Sequence, residues 1–338
     1  MEIKKTSLLL LAAVFAVACE KQIDIDIKNQ EAQVVVMGQN EVGKAISVDL
    51  TYSRPTFSTF YVRDGESYFQ EITDATVTLG IDGGAALTAS QNNGTYTFAH
   101  VPMPGERLTL TVSVPGKDAV SASATVPQSP AISNIDTSHS NADSYYELSQ
   151  TAVQFTLADP AGTADYYSIR LREVATTVVT QRDSTGAILS QDTTVDSHYQ
   201  WFSCTDYLLV SNTSLDLDDP TETNTFYGSE LLFTDATING QNHRINLKQS
   251  GYGCYSYEYD DIGADAVEYT TTIDLFLEVT ALTRDLYLYC QTMENYDYDE
   301  ILSFFSEPTQ IHSNIDGGIG IFGVSNKTVK QVYSVTLQ

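Results

Sequence analysis

The chain has 338 residues, with 44 acidic against 17 basic side chains and a formal charge of −27. A surface this acidic repels nucleic acid and anionic headgroups, and no basic patch offsets it, so DNA and RNA are not expected partners. The length suggests about two domains with enough chain for a sizeable core.

Lys4 and Lys5 form a short positive head, and Thr6 to Ala18 is an almost unbroken run of apolar or small residues. That run is too short to cross a bilayer, but it suits the apolar region of a secretory signal. It ends in Ala16-Val17-Ala18-Cys19, which resembles a bacterial lipobox. The resemblance implies cleavage before Cys19 and acylation of that cysteine. Each buried methylene contributes roughly 0.8 kcal/mol, so several fatty chains would hold the body to a membrane almost permanently. A plain secretory signal cut near Ala18 is the alternative, because a lipobox more often has leucine where Ala16 stands. Residues 1–18 therefore read as a signal peptide and residues 19–31 as a lipid-anchored tether. The early acidic residues, Glu20, Asp24 and Asp26, resemble the surface-export signals of Bacteroidota lipoproteins. That resemblance implies the outer membrane as the location, with the body on the cell surface or, alternatively, facing the periplasm.

From Ala32 to Val126 the pattern is period two. Ile46, Val48 and Leu50 alternate with Ser47, Asp49 and Thr51, which places apolar side chains on one face of a strand. Thr76 to Leu79, Thr95 to Phe98 and Leu108 to Val114 repeat the signature, separated by Asp82-Gly83-Gly84, Asn92-Asn93-Gly94 and Met103-Pro104-Gly105. Short strands between such turn formers indicate a β-sandwich. The run from Asp74 to Gly116 resembles the carboxypeptidase regulatory-like sandwich, which implies a fold and no activity.

Val126-Pro127-Gln128-Ser129-Pro130 reads as a boundary, because its prolines remove backbone donors and stiffen the chain. Residues 127–130 are thus an expected linker between sandwiches at 32–126 and 131–338. In the second, Val153, Phe155 and Leu157 alternate, then Asp159-Pro160-Ala161-Gly162 turns the chain towards Tyr167, Ile169 and Leu171. Tyr269 to Val279 is again period two, and the spacing then changes to Leu282, Leu286, Tyr289, Met293 and Tyr296. That period is near 3.6, so a strand should run directly into a helix at about 282–296, with Thr283 able to cap its start. The fold class is therefore all-β: two β-sandwich domains, the second carrying one inserted α-helix.

The four cysteines leave room for one disulfide if Cys19 carries lipid. Cys204 and Cys254 are the preferred pair, with free buried thiols as the alternative. Tyr252, Tyr255, Tyr257 and Tyr259 cluster around Cys254. Sheet propensity and half-buried packing account for them, and a glycan- or peptide-contacting platform is the sharper alternative.

No catalytic residue, metal ligand or cofactor is expected. The five histidines stand singly, and neither His-Glu-x-x-His nor paired Cys-x-x-Cys occurs. Gly-x-Ser-x-Gly is absent too. The acidic run Asp216 to Glu222 lacks an EF-hand glycine and places Pro220 at a ligand position, so it reads as a solvated loop.

Glu307-Pro308-Thr309-Gln310-Ile311-His312-Ser313-Asn314-Ile315-Asp316-Gly317-Gly318-Ile319-Gly320-Ile321-Phe322-Gly323 is the most distinctive stretch. Together with Cys19 near Ile23-Asp24-Ile25-Asp26, Asp159-Pro160-Ala161-Gly162 before Tyr166-Tyr167, and the strand into Leu286-Tyr287-Leu288-Tyr289, it resembles the family called domain of unknown function 4249. That resemblance spans nearly all of the chain after Cys19. It implies a Bacteroidota outer-membrane lipoprotein associated with a TonB-dependent receptor, and no catalytic residues come with it. A non-enzymatic accessory in nutrient uptake is the leading expectation, with ligand unspecified, and a surface glycan- or protein-binding adhesin is the alternative. The glycines from 317 to 323 suit a structural loop that seals the helix against the sheet, with a ligand loop as the other reading.

Overall fold

Period-two alternation turns into strand throughout the chain. Val34 and Val36, Val48 and Leu50, Val77 and Leu79, and Leu108, Leu110 and Val112 are buried, while the residues between them are not. The structure, a computed structural model, describes residues 31–54, 69–140, 150–210, 225–250, 266–294 and 310–337. Its first strands are β1 (Val34–Glu41), β2 (Ser47–Tyr52), β3 (Gln70–Glu71), β4 (Thr76–Ile81), β5 (Leu87–Thr88), β6 (Ser90–Asn92), β7 (Thr95–Thr97), β8 (Arg107–Ser113) and β9 (Val120–Thr125). Then come β10 (Ala131–Ser140), β11 (Gln150–Ala158), β12 (Tyr166–Arg182), β13 (Ile188–Gln200), β14 (Phe202–Cys204) and a short helix α1 (Tyr207–Val210). The rest are β15 (Phe226–Gly228), β16 (Leu231–Thr234), β17 (Asn242–Ser250), β18 (Ala266–Leu282), helix α2 (Arg284–Glu294) and β19 (Ile319–Leu337). The fold is all-β, as the alternation predicts, and α2 falls inside the predicted helical window.

Three sheets form. A ten-stranded sheet runs β13-β12-β18-β19-β1-β2-β7-β6, with β16 also on β12 and β3 on β2. A five-stranded sheet runs β10-β11-β17-β14-β15, and a four-stranded one β5-β4-β8-β9. One core lies between the four-stranded sheet and the β1, β2, β7 part of the large one, and includes Leu50, Tyr96, Phe98, Leu110 and Phe322. A second lies between the five-stranded sheet and β12, β16 and β18, around Phe155, Ile169, Phe202, Phe233, Ile245 and Leu277. Each such side chain, fully buried, contributes roughly 1.5–3 kcal/mol.

The expected partition into contiguous sandwiches, 32–126 and 131–338, is crossed by the last strand. β19 pairs with β1 in parallel, from Val35 opposite Ile319 to Glu41 opposite Ser325. It also supplies Phe322 and Val324 to the first core, and Ile315 joins them there. All the strands belong to one compact unit, Gln33–Ser53 with Val62–Gln338; the other unit, Met1–Ala32 with Arg54–Tyr61, lies almost wholly outside the described residues. The proline segment is itself held by β19. Asn326 Nδ2 donates to the Pro127 carbonyl at 2.9 Å and Thr328 Oγ1 to the Pro130 carbonyl at 2.7 Å.

Where β18 ends and α2 begins, β19 loses its neighbour. β18 pairs with β19 only as far as Leu282 opposite Ser325, so the flank of β19 before Ser325 needs other partners. Side chains take over. Gly320 N–H donates to Ser313 Oγ at 3.1 Å. Asn314 closes two bonds with Phe322, accepting its N–H at 2.9 Å and donating to its carbonyl at 2.8 Å. Val324 N–H donates to Thr283 Oγ1 at 3.3 Å, and Thr283 N–H donates to the Val324 carbonyl at 3.0 Å. The Thr283 hydroxyl, expected as a helix cap, thus serves β19, while the Thr283 carbonyl accepts the Tyr287 N–H at 3.0 Å.

Helix α2 lies on the opposite face of the large sheet from the two cores. Strand parity shows this: Phe322, Leu231 and Ala281 point into the cores, whereas Ile321, Leu232 and Leu282 form a third cluster with Leu286 and Tyr287 of α2. Close approach is enforced by glycine. A Cβ on Gly323 would lie 2.7 Å from the Leu286 Cβ, and one on Gly320, at φ +119°, would lie 2.0 Å from the Val36 carbonyl oxygen. Those two glycines therefore set the spacing of helix to sheet and of β19 to β1.

Asn314→Ala should cost about 2–4 kcal/mol, since it strands both backbone groups of buried Phe322. Asn314→Asp keeps the acceptor and should cost about half as much; urea denaturation midpoints measure both. Limited proteolysis of the native protein should leave the bond region 127–130 intact, because β19 side chains clamp both proline carbonyls.

Candidate functional site

The outer face of the large sheet is not wholly covered by α2. Beyond the helix, β12 turns Arg170 and Arg172 outward, in phase with Ser168 and out of phase with buried Ile169 and Leu171. β18 contributes Glu278 and Phe276, β19 contributes Lys327, and β1 contributes Glu41. Arg172 Nε donates to Glu278 at 2.6 Å, Lys327 Nζ lies 3.6 Å from Glu278 and 3.3 Å from Glu41, and Lys44 Nζ lies 2.7 Å from Glu41. Arg170 pairs with Glu230 just before β16. Both guanidinium groups also lie on rings, Arg170 at 4.8 Å from the Tyr199 centroid and Arg172 at 4.7 Å from that of Phe276.

Glu278 is the centre of this band. Its side chain is only 4% exposed, and burying a lone carboxylate would cost several kcal/mol, so it depends on Arg172, Lys327 and the Tyr199 hydroxyl at 3.5 Å. Burial alone would raise the Glu41 carboxyl, but Lys44 and Lys327 outweigh it and hold the group below its ordinary value. At the helix end of the band, burial, then the Glu230 charge, pushes the Glu294 carboxyl up to about 7, against a smaller lowering by Arg170. Burial likewise pushes the Cys290 thiol up to about 11, so it is no thiolate nucleophile at neutral pH. The band is a preorganised array of paired charges and aromatic rings, suited to recognising a polar surface.

A second constellation joins Asp159, Asp165 and Asp235, whose carboxylate oxygens lie within 4.8 Å of one another. An all-oxygen set suits a hard cation, yet the protein already uses these atoms. Asp159 accepts from the Tyr167 hydroxyl at 2.8 Å and from Gly240 N–H at 2.9 Å. Asp165 accepts from Thr163 Oγ1 and Asp235 from Asn239 Nδ2, both at 2.6 Å. Burial and the two neighbouring carboxylates raise Asp235, with the Asp165 backbone amide and Asn239 opposing. The arrangement clamps the 159–165 turn to the 235–240 segment.

Of the residues singled out by sequence, Cys19, Cys254, Tyr252, Tyr255, Tyr257, Tyr259 and the run Asp216 to Glu222 lie outside the described residues. Cys204 sits in the second core as a free thiol, pushed up to about 11 by burial, and its preferred partner Cys254 is among the residues not described. Four of the isolated histidines each lie against one carboxylate: His100 on Glu106, His243 on Asp206, His312 on Asp285 and His198 on Glu173, at 2.8, 2.6, 3.0 and 3.7 Å. Sequence reasoning passed over Trp201 and Tyr227. Their rings meet at 5.3 Å and both are exposed, at 55% and 61%. A lone Trp flanked by strand residues was the available signal.

The family model described as Domain of unknown function (DUF4249) matches residues 20–331, and the chain belongs to that family. No curated protein matches it. Among solved structures it is similar to a tetra-tandem repeat in the extending region of a large adhesion protein, at 9% identity over 89% of this chain and 75% of that one, with a TM-score of 0.18. It is also similar to infectious bursal disease virus Gx strain, at 10% identity over 90% and 75% of the two chains, with a TM-score of 0.12. Similarity at that level has no bearing on the fold or the site.

The raised Glu294 value makes a pH prediction. A carboxyl raised by folding stabilises most when protonated, so its contribution is full below the ordinary 4.5 and disappears as pH rises through about 7. Glu294→Gln should therefore flatten that part of the stability profile, read from urea midpoints between those pH values. Glu294 is an exposed residue, so solvent screening keeps the change small.

Proposed function

We propose that this family member is a lipid-anchored outer-membrane lipoprotein that assists a TonB-dependent receptor in nutrient uptake and catalyses no reaction itself. The observation that carries the reading is the run of small residues into Cys19, after a positively charged, apolar leader. Family membership supports it. So does the place of β1, which follows the tether and lies inside the large sheet between β19 and β2. An anchor joined there would be tied to an interior strand of the large sheet. The band around Glu278 supplies paired charges suited to a polar partner surface.

A second reading, a surface adhesin for glycan or protein, is favoured by the exposed Trp201–Tyr227 pair, since aromatic faces stack on the apolar faces of sugars.

Two measurements check the proposal. Cys19→Ser should abolish incorporation of labelled palmitate; label that persists refutes the anchor. Mild-detergent pull-down of the tagged protein from outer membranes should recover a stoichiometric β-barrel receptor by mass spectrometry. Consistent absence of a receptor, with glycan or host-protein binding lost in Trp201→Ala, would instead establish the adhesin.

A further inference from the structure

Among the described residues, the large sheet ends in an unpaired edge. β13 pairs with β12 on one side, from Leu171 opposite Gln200 to Arg182 opposite Ile188, and among the described residues no strand lies on its other side. Natural edges are usually blunted by charged side chains, lysine above all, by proline, by bulges or by shortness. β13 is 13 residues long, Ile-Leu-Ser-Gln-Asp-Thr-Thr-Val-Asp-Ser-His-Tyr-Gln, with neither lysine nor proline. Its one register shift lies at the hairpin end, where Leu189 is the extra residue between Ser190, opposite Gln181, and Ile188, opposite Arg182. Ile188, Leu189 and Val195 are 55%, 58% and 65% exposed, and Trp201, next after the strand, is 55% exposed. Asp192, Asp196 and the register shift blunt this edge only in part, and its length and exposed apolar side chains leave it able to pair.

We propose that β13 pairs antiparallel with β13 of a second copy, about a two-fold axis through Val195, making one continuous sheet across the dimer. The sequence of the edge selects both the partner and the register. In an antiparallel pair, opposite residues must both turn their backbone groups towards each other or both away, so a two-fold axis between identical strands passes through a residue. Centring on Thr194 sets Asp192 against Asp196 in both halves, and centring on Asp196 sets that carboxylate against itself. Thr193 as centre matches no charges and sets no residue of β13 opposite Trp201. Ser197 as centre brings Asp196 to His198 but pairs only Thr194 to Gln200. Centring on Val195 pairs Ser190 to Gln200 along the strand, sets Asp192 opposite His198 twice, and brings Leu189 level with Trp201 twice. Val195, the most exposed of these apolar side chains, then meets its own copy. Acid faces imidazole and apolar faces apolar, in a chain whose charge of −27 otherwise opposes self-association.

The test uses the purified full-length protein. Sedimentation should give a dimer, and His198→Asp, which sets Asp192 of each copy against a carboxylate of the other, should weaken association about tenfold. Adding Asp192→His to that variant restores the opposite pairs and should restore the dimer. Directly opposite residues have Cβ atoms about 4.5–5.5 Å apart, so Val195→Cys should give a disulfide-linked dimer on a non-reducing gel. Thr194→Cys, whose opposite residue is Asp196, should not; the parent chain controls for its own thiols. All these positions are exposed, and an unchanged circular dichroism spectrum confirms that each variant folds. A monomeric parent chain with no Val195→Cys cross-link overturns the proposal. So does Thr194→Cys linking as fully as Val195→Cys, or a charge swap that restores nothing.

Discussion

The parallel pairing of β1 with β19 is the contact on which the other parts of this fold depend. It joins residues near the two ends of the chain, Val35 and Ile319 among them, and it places Phe322 and Val324 in the first core. The N-terminal strands alone therefore cannot complete their own interior. A pairing of such sequence separation closes a very long loop, so the entropy of closure is met before its contacts form. The large sheet, and with it both cores, is finished only when the last strand docks.

The passage of β18 into α2 is the second constraint. A strand that becomes a helix abandons its neighbour's hydrogen-bonding groups, and an unpaired backbone amide or carbonyl in a buried position costs about as much as a lost hydrogen bond. Ser313, Asn314 and Thr283 stand in for the missing strand, and Gly323 lets the helix lie close enough to bury Leu286 and Tyr287. The distinctive Ser-Asn-Ile-x-Gly-Gly-x-Gly-Ile-Phe-Gly stretch thus has a physical role, with one side-chain pair imitating a ladder rung and the glycines permitting contact.

Where α2 stops, the outer face changes character. The same strand positions that carry Ile321, Leu232 and Leu282 under the helix carry Lys327, Glu230 and Glu278 beside it. An exposed face of apolar residues would invite association, and a face of unpaired charges would rule out the burial of Glu278. Paired charges satisfy both demands and leave a rigid polar surface.

Much of this was legible in the sequence, for a definite reason. The side-chain period of a strand is two and that of a helix near 3.6, so local spacing alone identified the inward residues of β2, β8 and β11 and the change of period at Leu282. Turn glycines marked the hairpins, and the stretch around Asn314 identified the family. Period two says which face a residue takes but not which strand lies beside it. Hence the proline segment read as a division between domains, although β19 runs across it and holds it. The Asp159, Asp165 and Asp235 cluster and the band around Glu278 draw residues from separate strands, and a Thr283 hydroxyl read as a cap turned out to serve a strand. Local pattern determined the elements and their faces; long-range pairing, which leaves no periodic trace, decided what those faces meet.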